Sequence, residues 1–203
     1  MYTGLSESKF KTNLIKKSSK FTVLFRGKYN KEAGLETLAK ASFILSSLPL
    51  RILIYSPGIP QNLAFAGNTT IYSEKINQKE LVSVLKSSHL LLGQMSSHQR
   101  LSRTIPHKAF ESAYLSQPYL TSNSVGVLEL FKDGYEVLCH EAGDEFSLSE
   151  GIKFCYLNRS KISKIGKNMK IKYQGHSAQS VLSNYFIESI LKSYISDNKK
   201  PKS

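Results

Sequence analysis

Apolar, strand-like segments alternate with helix-like segments along most of the chain, and this alternation constrains the fold more than any other feature. The first strand is expected at "FTVLF", residues 21–25, a continuous apolar run of the kind buried in a parallel sheet. Five more strand-like segments follow, at residues 51–56, 69–73, 89–93, 118–122 and 135–140. Between them, residues 32–48 and 78–88 have helical apolar spacing. The alternation predicts an α/β fold: a doubly wound, mostly parallel sheet with helices on both faces.

The length of the chain allows one main domain. With 203 residues, of which 40% are hydrophobic, it can bury a single sizeable core. We therefore expect a flexible basic lead-in over residues 1–20, one domain over residues 21–196 and a disordered tail over residues 197–203. The part after about Glu145 is predicted to be helical in three pieces, of which the last runs from Ala178 to Ile195.

Cysteine usage and hydropathy indicate a cytoplasmic protein. The two cysteines, Cys139 and Cys155, have neither the spacing of a metal site nor the number that a disulfide framework needs. The best apolar run is interrupted by Pro49 and Arg51, so no segment approaches the length of a bilayer span. The first twenty residues also lack the apolar block of a secretory signal.

The charge balance favours anionic partners. The net charge is +13, which suits phosphates, acidic lipid surfaces or nucleic acid. The charges are unevenly distributed, because residues 111–150 hold one basic and eight acidic side chains, whereas residues 151–203 hold eleven basic and two acidic ones. A locally acidic middle does not suit a nucleic-acid groove, and no nucleic-acid-binding motif is recognised, so nucleic acid is not an expected partner.

The stretch "RSKISKIGKNMKIKY", residues 159–173, predicts a basic amphipathic helix. Its apolar residues at helical spacing are Ile162, Ile165, Met169 and Tyr173, and five lysines surround them. Such a helix can lie on an acidic membrane surface, which would place the protein peripherally at the inner membrane face. The favoured alternative is that the apolar side packs on the protein's own sheet while the lysines stay solvated.

Candidate binding residues cluster where the strands of the predicted sheet end. Ligands of doubly wound sheets bind outside the carboxyl ends of the strands. After residue 93, a polar loop carries Arg103 and Lys108, and Pro106 suits the first turn of the following helix, whose free N–H groups can face an anion. His98 and His107 in this region have no evident carboxylate or serine partner and are expected to be solvated.

A second candidate loop, "NSVG", follows residue 122. Ser124 is expected to cap the next helix, and the amides of Val125, Gly126 and Val127 are expected to point toward a phosphate. Gly126 would permit close approach of the ligand to the backbone.

The segment "IPHKAFESAYLSQPYLTSNSVGVLELFKDG", residues 105–134, resembles the donor-site segment of GT-B glycosyltransferases of the group 1 type. That segment is commonly written Ile-Pro-Asn-Lys-x-Phe-Glu, then Gly-x-Pro, then a Glu-Leu pair before Asp-Gly. Residues 25–42 resemble the family's first strand, Gly-containing loop and helix, and residues 87–93 resemble its strand before a variable loop. The order and spacing of these motifs imply a single Rossmann-like domain, the C-terminal, donor-binding half of a GT-B architecture.

The resemblance also implies roles for individual residues. Glu111 matches the glutamate that typically holds the nucleotide ribose, while Lys108, Arg103 and the turn at 124–127 fall where the pyrophosphate or sugar is held. Glu129 matches a later family glutamate whose role is left open. The expected donor-binding residues are Gly27, Lys28, Arg103, Lys108, Glu111, Ser124, Val125, Gly126, Val127 and Glu129. No catalytic residue is assigned.

Two positions depart from the family pattern. Arg103 stands where the family often has a glutamate, and Ala33 stands where it often has a basic residue just before Gly34. Lys28 is expected to replace part of the charge lost at Ala33. These departures bear on how a sugar would be oriented and on catalytic competence.

The implied function is transfer from a nucleotide-diphosphate sugar to a glycan or lipid-linked acceptor, in cell-surface polysaccharide synthesis. A separate acceptor-domain protein, or another copy of the chain, would have to complete the enzyme. The alternative is a non-catalytic nucleotide-sugar-binding or regulatory subunit. No cofactor is expected, and the lack of an Asp-x-Asp pair at a strand end argues against an obligatory metal.

Overall fold

The structure, a computed structural model, describes residue 10 and residues 14–74 and 76–176. The predicted helix from Ala178 to Ile195 and the predicted tail at 197–203 lie outside these residues. Six strands form one sheet: β1 (Phe21–Arg26), β2 (Leu50–Tyr55), β3 (Thr69–Tyr72), β4 (Leu90–Leu92), β5 (Tyr119–Ser122) and β6 (Leu138–His140). All neighbouring strands are parallel, in the order β3-β2-β1-β4-β5-β6, so the predicted doubly wound α/β fold is confirmed.

The strand order places a topological switch point in the middle of the sheet. The chain starts at β1, builds outward to β3, and then returns to add β4 on the other side of β1. Phe25 in β1 is in register with Leu92 in β4, so the carboxyl ends of these two strands lie side by side. A crevice at such a point is the usual ligand position in open α/β sheets.

Helices cover both faces of the sheet. They are α1 (Leu35–Ile44), α2 (Gln78–Ser87), α3 (His107–Tyr114), α4 (Val125–Leu130), α5 (Glu145–Leu157) and α6 (Arg159–His176), with a short 3-10 helix at Gln99–Arg103. The first helix is shorter than the predicted 32–48. It begins after Gly34, whose left-handed backbone (φ 69°) cannot continue a right-handed helix.

Alternate residues of each central strand pack into two separate core layers. Val23 and Phe25 of β1 face α1 and α5, whereas Leu24 faces the layer built by α2, α3, α4 and α6. Because the central strands are buried on both faces, their sequences read as continuous apolar runs. The core also extends beyond its predicted start at residue 21, since Phe10 is buried in the second layer with its ring 6.0 Å from that of Tyr114. An isolated aromatic in a polar stretch has no periodicity that would reveal this.

The basic amphipathic helix packs onto the protein itself. Ile162, Ile165, Met169 and Tyr173 of α6 are all buried, as the packing alternative predicted. Lysines of the same helix, including Lys161, Lys164 and Lys167, are exposed. The apolar stripe is therefore occupied by the core and is not presented to a membrane. Among the described residues, no helix has both the length and the apolar character needed to cross a bilayer.

Candidate functional site

Lys108 lies at the carboxyl end of β1, next to the switch point. From the first turn of α3, its Nζ atom reaches to 4.0 Å from the centroid of the Phe25 ring and donates a hydrogen bond to Gln94 Oε1 at 3.2 Å. Gly27 makes this position accessible, because a Cβ added there would lie 2.9 Å from Nζ. Gly27 also has a φ of 152°, a backbone conformation that residues with a Cβ rarely adopt. Two of the predicted residues, Gly27 and Lys108, are thus brought together.

Glu111 lies one turn further along α3 and is part of an internal ion pair. The residue is 6% exposed, and its Oε2 accepts a hydrogen bond from Arg26 Nη2. Its Oε1 lies 3.6 Å from Nδ1 of His107. Glu111 is therefore a buried carboxylate at the carboxyl edge, but a neighbouring side chain already compensates its charge.

The enclosure of Lys108 changes its acid–base behaviour. Burial, joined by the nearby Arg26, lowers the pKa of Lys108 to about 7, although Glu111 acts in the opposite direction. The ammonium is consequently only partly charged at neutral pH. An anion that approached Nζ would favour the protonated form and so restore the full charge.

A small polar cavity lies beneath this cluster. It measures about 10 Å³ and is lined in part by Arg26, Lys108, Glu111, Ser112 and Tyr119. Arg26 Nε and Ser112 Oγ are buried without a hydrogen-bond partner among the described residues, and the Tyr119 hydroxyl lies beside the Thr121 side chain. Burial also raises the pKa of Tyr119, so its hydroxyl keeps its proton. The space suits about one water molecule with several polar partners.

The cluster opens to solvent through a groove of about 280 Å³ at the ends of β1 and β2, the β1–β2 groove. Its lining includes Arg26, Gly27, Lys28, Tyr55 and the acidic Glu74. Lys28 is exposed at this groove, as its predicted role requires. The β1–β2 groove therefore connects Gly27 and Lys28, which follow β1, to the buried Arg26–Glu111 pair and the nearby Lys108.

A second groove, of about 330 Å³, lies between the 3-10 helix and the start of α4. Its lining includes His98, Asn123, Ser124 and Val125. Val125 is 75% exposed, which is consistent with a position beside a ligand. We call this the α4 groove.

Two expectations for the turn at 124–127 need correction. Ser124 caps α4 as predicted, but the N–H that it accepts is that of Val127, at 3.3 Å. The amide of Val127 is therefore engaged and does not point at a ligand. Gly126 does allow close approach, but of the chain itself: a Cβ there would lie 2.7 Å from both the N and O atoms of Thr104.

Arg103 and Glu129 are placed away from the cluster. Arg103 ends the 3-10 helix and is exposed, and Glu129 is exposed on α4. Neither residue lines the β1–β2 groove or the α4 groove. Their donor-binding roles stay predictions.

Three residues of the cluster were not identified from the sequence: Arg26, Gln94 and His107. Arg26 is the last residue of a buried strand and Gln94 follows the end of β4, so strand-end position was the available signal. The expectation that His107 lacks a carboxylate partner was wrong, because Glu111 follows it by four residues on one helix face. His98 is exposed, and its Nδ1 accepts the Arg100 amide at 3.3 Å to cap the 3-10 helix.

The part of the chain that the structure describes contains no group of three or more histidine, cysteine or acidic side chains placed to hold a metal ion. Both cysteines, Cys139 and Cys155, are free thiols. Burial raises the pKa of each to about 12, with the nearby Asp133 and Glu141 contributing at Cys139. Neither thiol is therefore a ready nucleophile or thiolate ligand at neutral pH.

Comparison with known proteins relates this geometry to a family. A family model described as glycosyl transferase-like matches residues 35–186. The chain is similar to the C-terminal domain of the glycosyl transferase group 1 family protein LpcC from Francisella tularensis, with 10% identity, a TM-score of 0.65, and coverage of 81% of this chain and 89% of that one. No curated protein matches the sequence.

Two longer solved structures are also similar. Sucrose-phosphate synthase from Thermosynechococcus elongatus has 13% identity and a TM-score of 0.70, with 94% of this chain and 52% of that one covered. Anabaena HepE, solved in complex with UDP-glucose, has 15% identity and a TM-score of 0.66, with 86% of this chain and 49% of that one covered. At these identities the similarity establishes the fold, and the chain spans about half the length of each of these two proteins.

Proposed function

Since this chain belongs to the glycosyl transferase-like family and has the fold of a GT-B C-terminal domain, we propose that its carboxyl-edge cluster binds a nucleotide-diphosphate sugar. The observation that carries the proposal is the position of Lys108, whose ammonium lies at the switch point beside Gly27 and adjoins an open groove. The complexes of Anabaena HepE with UDP-glucose and with UDP support this ligand class.

The chemistry of glycosyl transfer explains why a cation is useful there. The departing nucleoside diphosphate gains negative charge in the transition state, and preorganised positive groups stabilise it at that stage. Lys108 is held in place by Gln94 and Phe25, so little reorganisation is needed when the charge develops. Lys28 at the β1–β2 groove adds a second, solvated cation.

Glu111 can take part without releasing Arg26. A carboxylate accepts about four hydrogen bonds, and Arg26 occupies Oε2 alone. Oε1, which lies 3.6 Å from His107, has capacity for a ribose hydroxyl. In this proposal Arg26 orients Glu111 while the carboxylate holds the nucleotide.

Transfer to a glycan or lipid-linked acceptor would require a second, acceptor-binding domain. A second domain is proposed because this chain spans only about half the length of HepE and of sucrose-phosphate synthase. We propose that this domain comes from another part of the same protein, from a separate polypeptide or from another copy, and that the assembled enzyme builds cell-surface glycans in the cytoplasm.

A non-catalytic donor-binding or regulatory role is the second candidate. It is favoured by the placement of Arg103, which replaces a glutamate of the family pattern and lies outside both grooves. Sugar transfer on mixing the chain with an acceptor-side domain would support the enzyme. If the chain binds the donor but neither transfers the sugar nor hydrolyses the donor when mixed with such a domain, the regulatory role is supported.

Calorimetric titration with UDP, UDP-glucose and other nucleotide-diphosphate sugars tests the proposal. A hydrogen bond to a charged group contributes about 1.5–3 kcal/mol, so Lys108→Ala should weaken binding at least about tenfold. Lys164→Ala on the exposed side of α6 removes the same charge elsewhere and should have little effect. Equal affinities of Lys108→Ala and the wild type would remove Lys108 from the site.

A further inference from the structure

A separate concave site lies at the amino edge of the sheet, opposite the carboxyl-edge cluster. It has a volume of about 240 Å³. The residues just before β4 and β5 and the first turn of α6 bound it. The side chains that matter for its chemistry are those of Lys17, His89, Ser116, Arg159 and Ser163. We call it the amino-edge pocket.

Two cations of this pocket are held by contacts that do not neutralise them. Lys17 Nζ donates to the backbone O of Ser88 and, at 2.5 Å, to Gln117 Oε1. The guanidinium of Arg159 lies 5.4 Å from the centroid of the Phe21 ring. Neither cation forms an ion pair with a carboxylate within the described residues. Within the residues that the structure describes, the protein positions both charges without a carboxylate to compensate them.

His89 is surrounded by charges of one sign. Its Nδ1 accepts the Thr22 amide at 3.1 Å, so the neutral ring carries its proton on Nε2 as a donor. Burial and, to a smaller extent, the positive charges of Lys17, Arg159 and Arg51 lower the pKa of His89 to about 4. Because Lys17, Arg159 and Arg51 are all cations, the described residues give the ring a positive potential.

The backbone around the pocket is fixed by close packing. Ser116 has a φ of 56°, a left-handed conformation that is unusual for a residue with a Cβ. Gly166 of α6 presses against the same turn, since a Cβ there would lie 2.5 Å from Ser116 O. The start of the 18-residue α6 also brings the positive end of its dipole to the pocket.

We propose that the amino-edge pocket binds a phosphate-type oxyanion, either free phosphate or the phosphate of an anionic lipid headgroup. A tetrahedral oxyanion offers four oxygen acceptors, which suit the ammonium of Lys17, the guanidinium of Arg159, the Nε2–H of His89 and the serine hydroxyls. The volume is below the range of about 300–1,000 Å³ typical of drug-sized ligands, which favours a small anion over a nucleotide. This site does not depend on the proposed donor binding.

Titration of the full chain with inorganic phosphate, followed by NMR chemical shifts or calorimetry, tests the site. Arg159→Gln and Lys17→Gln should each weaken phosphate binding at least about tenfold, because each removes a charged hydrogen-bond donor. Lys164→Gln removes one charge from the exposed side of the same helix and should change the affinity less than about twofold. Chemical-shift changes at His89 and Ser163, which line this pocket, separate its occupancy from any phosphate bound near Lys108 at the carboxyl edge.

Sedimentation with phosphatidylglycerol and phosphatidylcholine vesicles identifies the source of the oxyanion. If inorganic phosphate binds and binding is lost in the Lys17 and Arg159 variants, the ligand is a soluble phosphate. If only phosphatidylglycerol vesicles bind, again with loss in both variants, the ligand is a lipid headgroup. Circular dichroism checks folding, and Lys17→Gln, which lies outside the helices, covers the case in which Arg159→Gln unfolds. The proposal is overturned if neither probe binds, or if both variants and Lys164→Gln behave alike.

Discussion

The two ends of the sheet handle positive charge in opposite ways. At the carboxyl edge, Arg26 pairs with the buried Glu111, and the same carboxylate partly offsets the loss of charge on Lys108. At the amino edge, Lys17 and Arg159 have no carboxylate partner within the described residues. The comparison suggests that a ligand at the carboxyl edge must fit into an existing charge network, whereas one at the amino edge supplies the missing charge itself.

Removing the carboxylate of Glu111 should leave a cation at the carboxyl edge without its partner, as at the amino edge, and should destabilise the fold strongly. Glu111→Gln leaves Arg26, whose side chain is 27% exposed, without its charged partner. We expect the free energy of unfolding to fall by about 2–3 kcal/mol in urea denaturation. Glu150→Gln, which disrupts a solvated pair with Lys153, should cost less than about 1 kcal/mol. Similar losses for both variants would mean that the Arg26–Glu111 pair stabilises the fold no more than a solvated surface pair does.

The next largest effect should come from the glycine that admits Lys108. Gly27→Ala would place a Cβ 2.9 Å from Nζ and strain the backbone, so we expect donor affinity to fall several-fold as Lys108 is displaced. Gly58→Ala is the matched control: its φ of 79° is also positive and disfavours alanine, but no atom lies within 4 Å of the added Cβ. Both variants should lose stability, and only Gly27→Ala should lose affinity in calorimetry. Loss of affinity in both would show that strain alone matters.

The smallest effect is a proton taken up on donor binding. Because the pKa of Lys108 is lowered to about 7, the free protein is partly deprotonated there, and a bound diphosphate should raise this pKa. Affinity should therefore fall as pH rises above 7. At about pH 8, calorimetry in buffers of different ionisation enthalpy should detect uptake of up to about one proton in the wild type. Lys108→Met should abolish the uptake. Uptake that persists in Lys108→Met would assign the proton to another group.

The fold was predictable because its signals are local. Continuous apolar runs such as residues 21–25 and the helical spacing of Ile162, Ile165 and Met169 each report burial directly from the sequence. The position of Lys108 near the carboxyl edge could be predicted because it lies in the first turn of the helix that follows the β4 loop and belongs to a motif of known spacing, while its binding role stays a proposal. The capping role of Ser124 was likewise predicted from its local sequence.

The parts that were missed depend on contacts between distant residues. Arg26 and Glu111 are 85 positions apart, and nothing near either residue signals their pairing. Gly126 was expected to face a ligand, but it packs against the backbone of Thr104. No local sequence pattern indicates this contact. The amino-edge pocket joins Lys17, His89 and Arg159 only after the sheet has formed. Local periodicity therefore fixes the elements, while tertiary packing decides which polar groups stay available.

The most direct test of the central claim is a structure of the chain with a nucleotide-diphosphate sugar, soaked or co-crystallised with several donors in turn. The account predicts that the diphosphate lies at the carboxyl edge within hydrogen-bond distance of Lys108 Nζ, with the remainder of the ligand in the β1–β2 groove or the α4 groove. A donor bound elsewhere, or a carboxyl edge that stays closed by the Arg26–Glu111 pair with every donor tried, would contradict it.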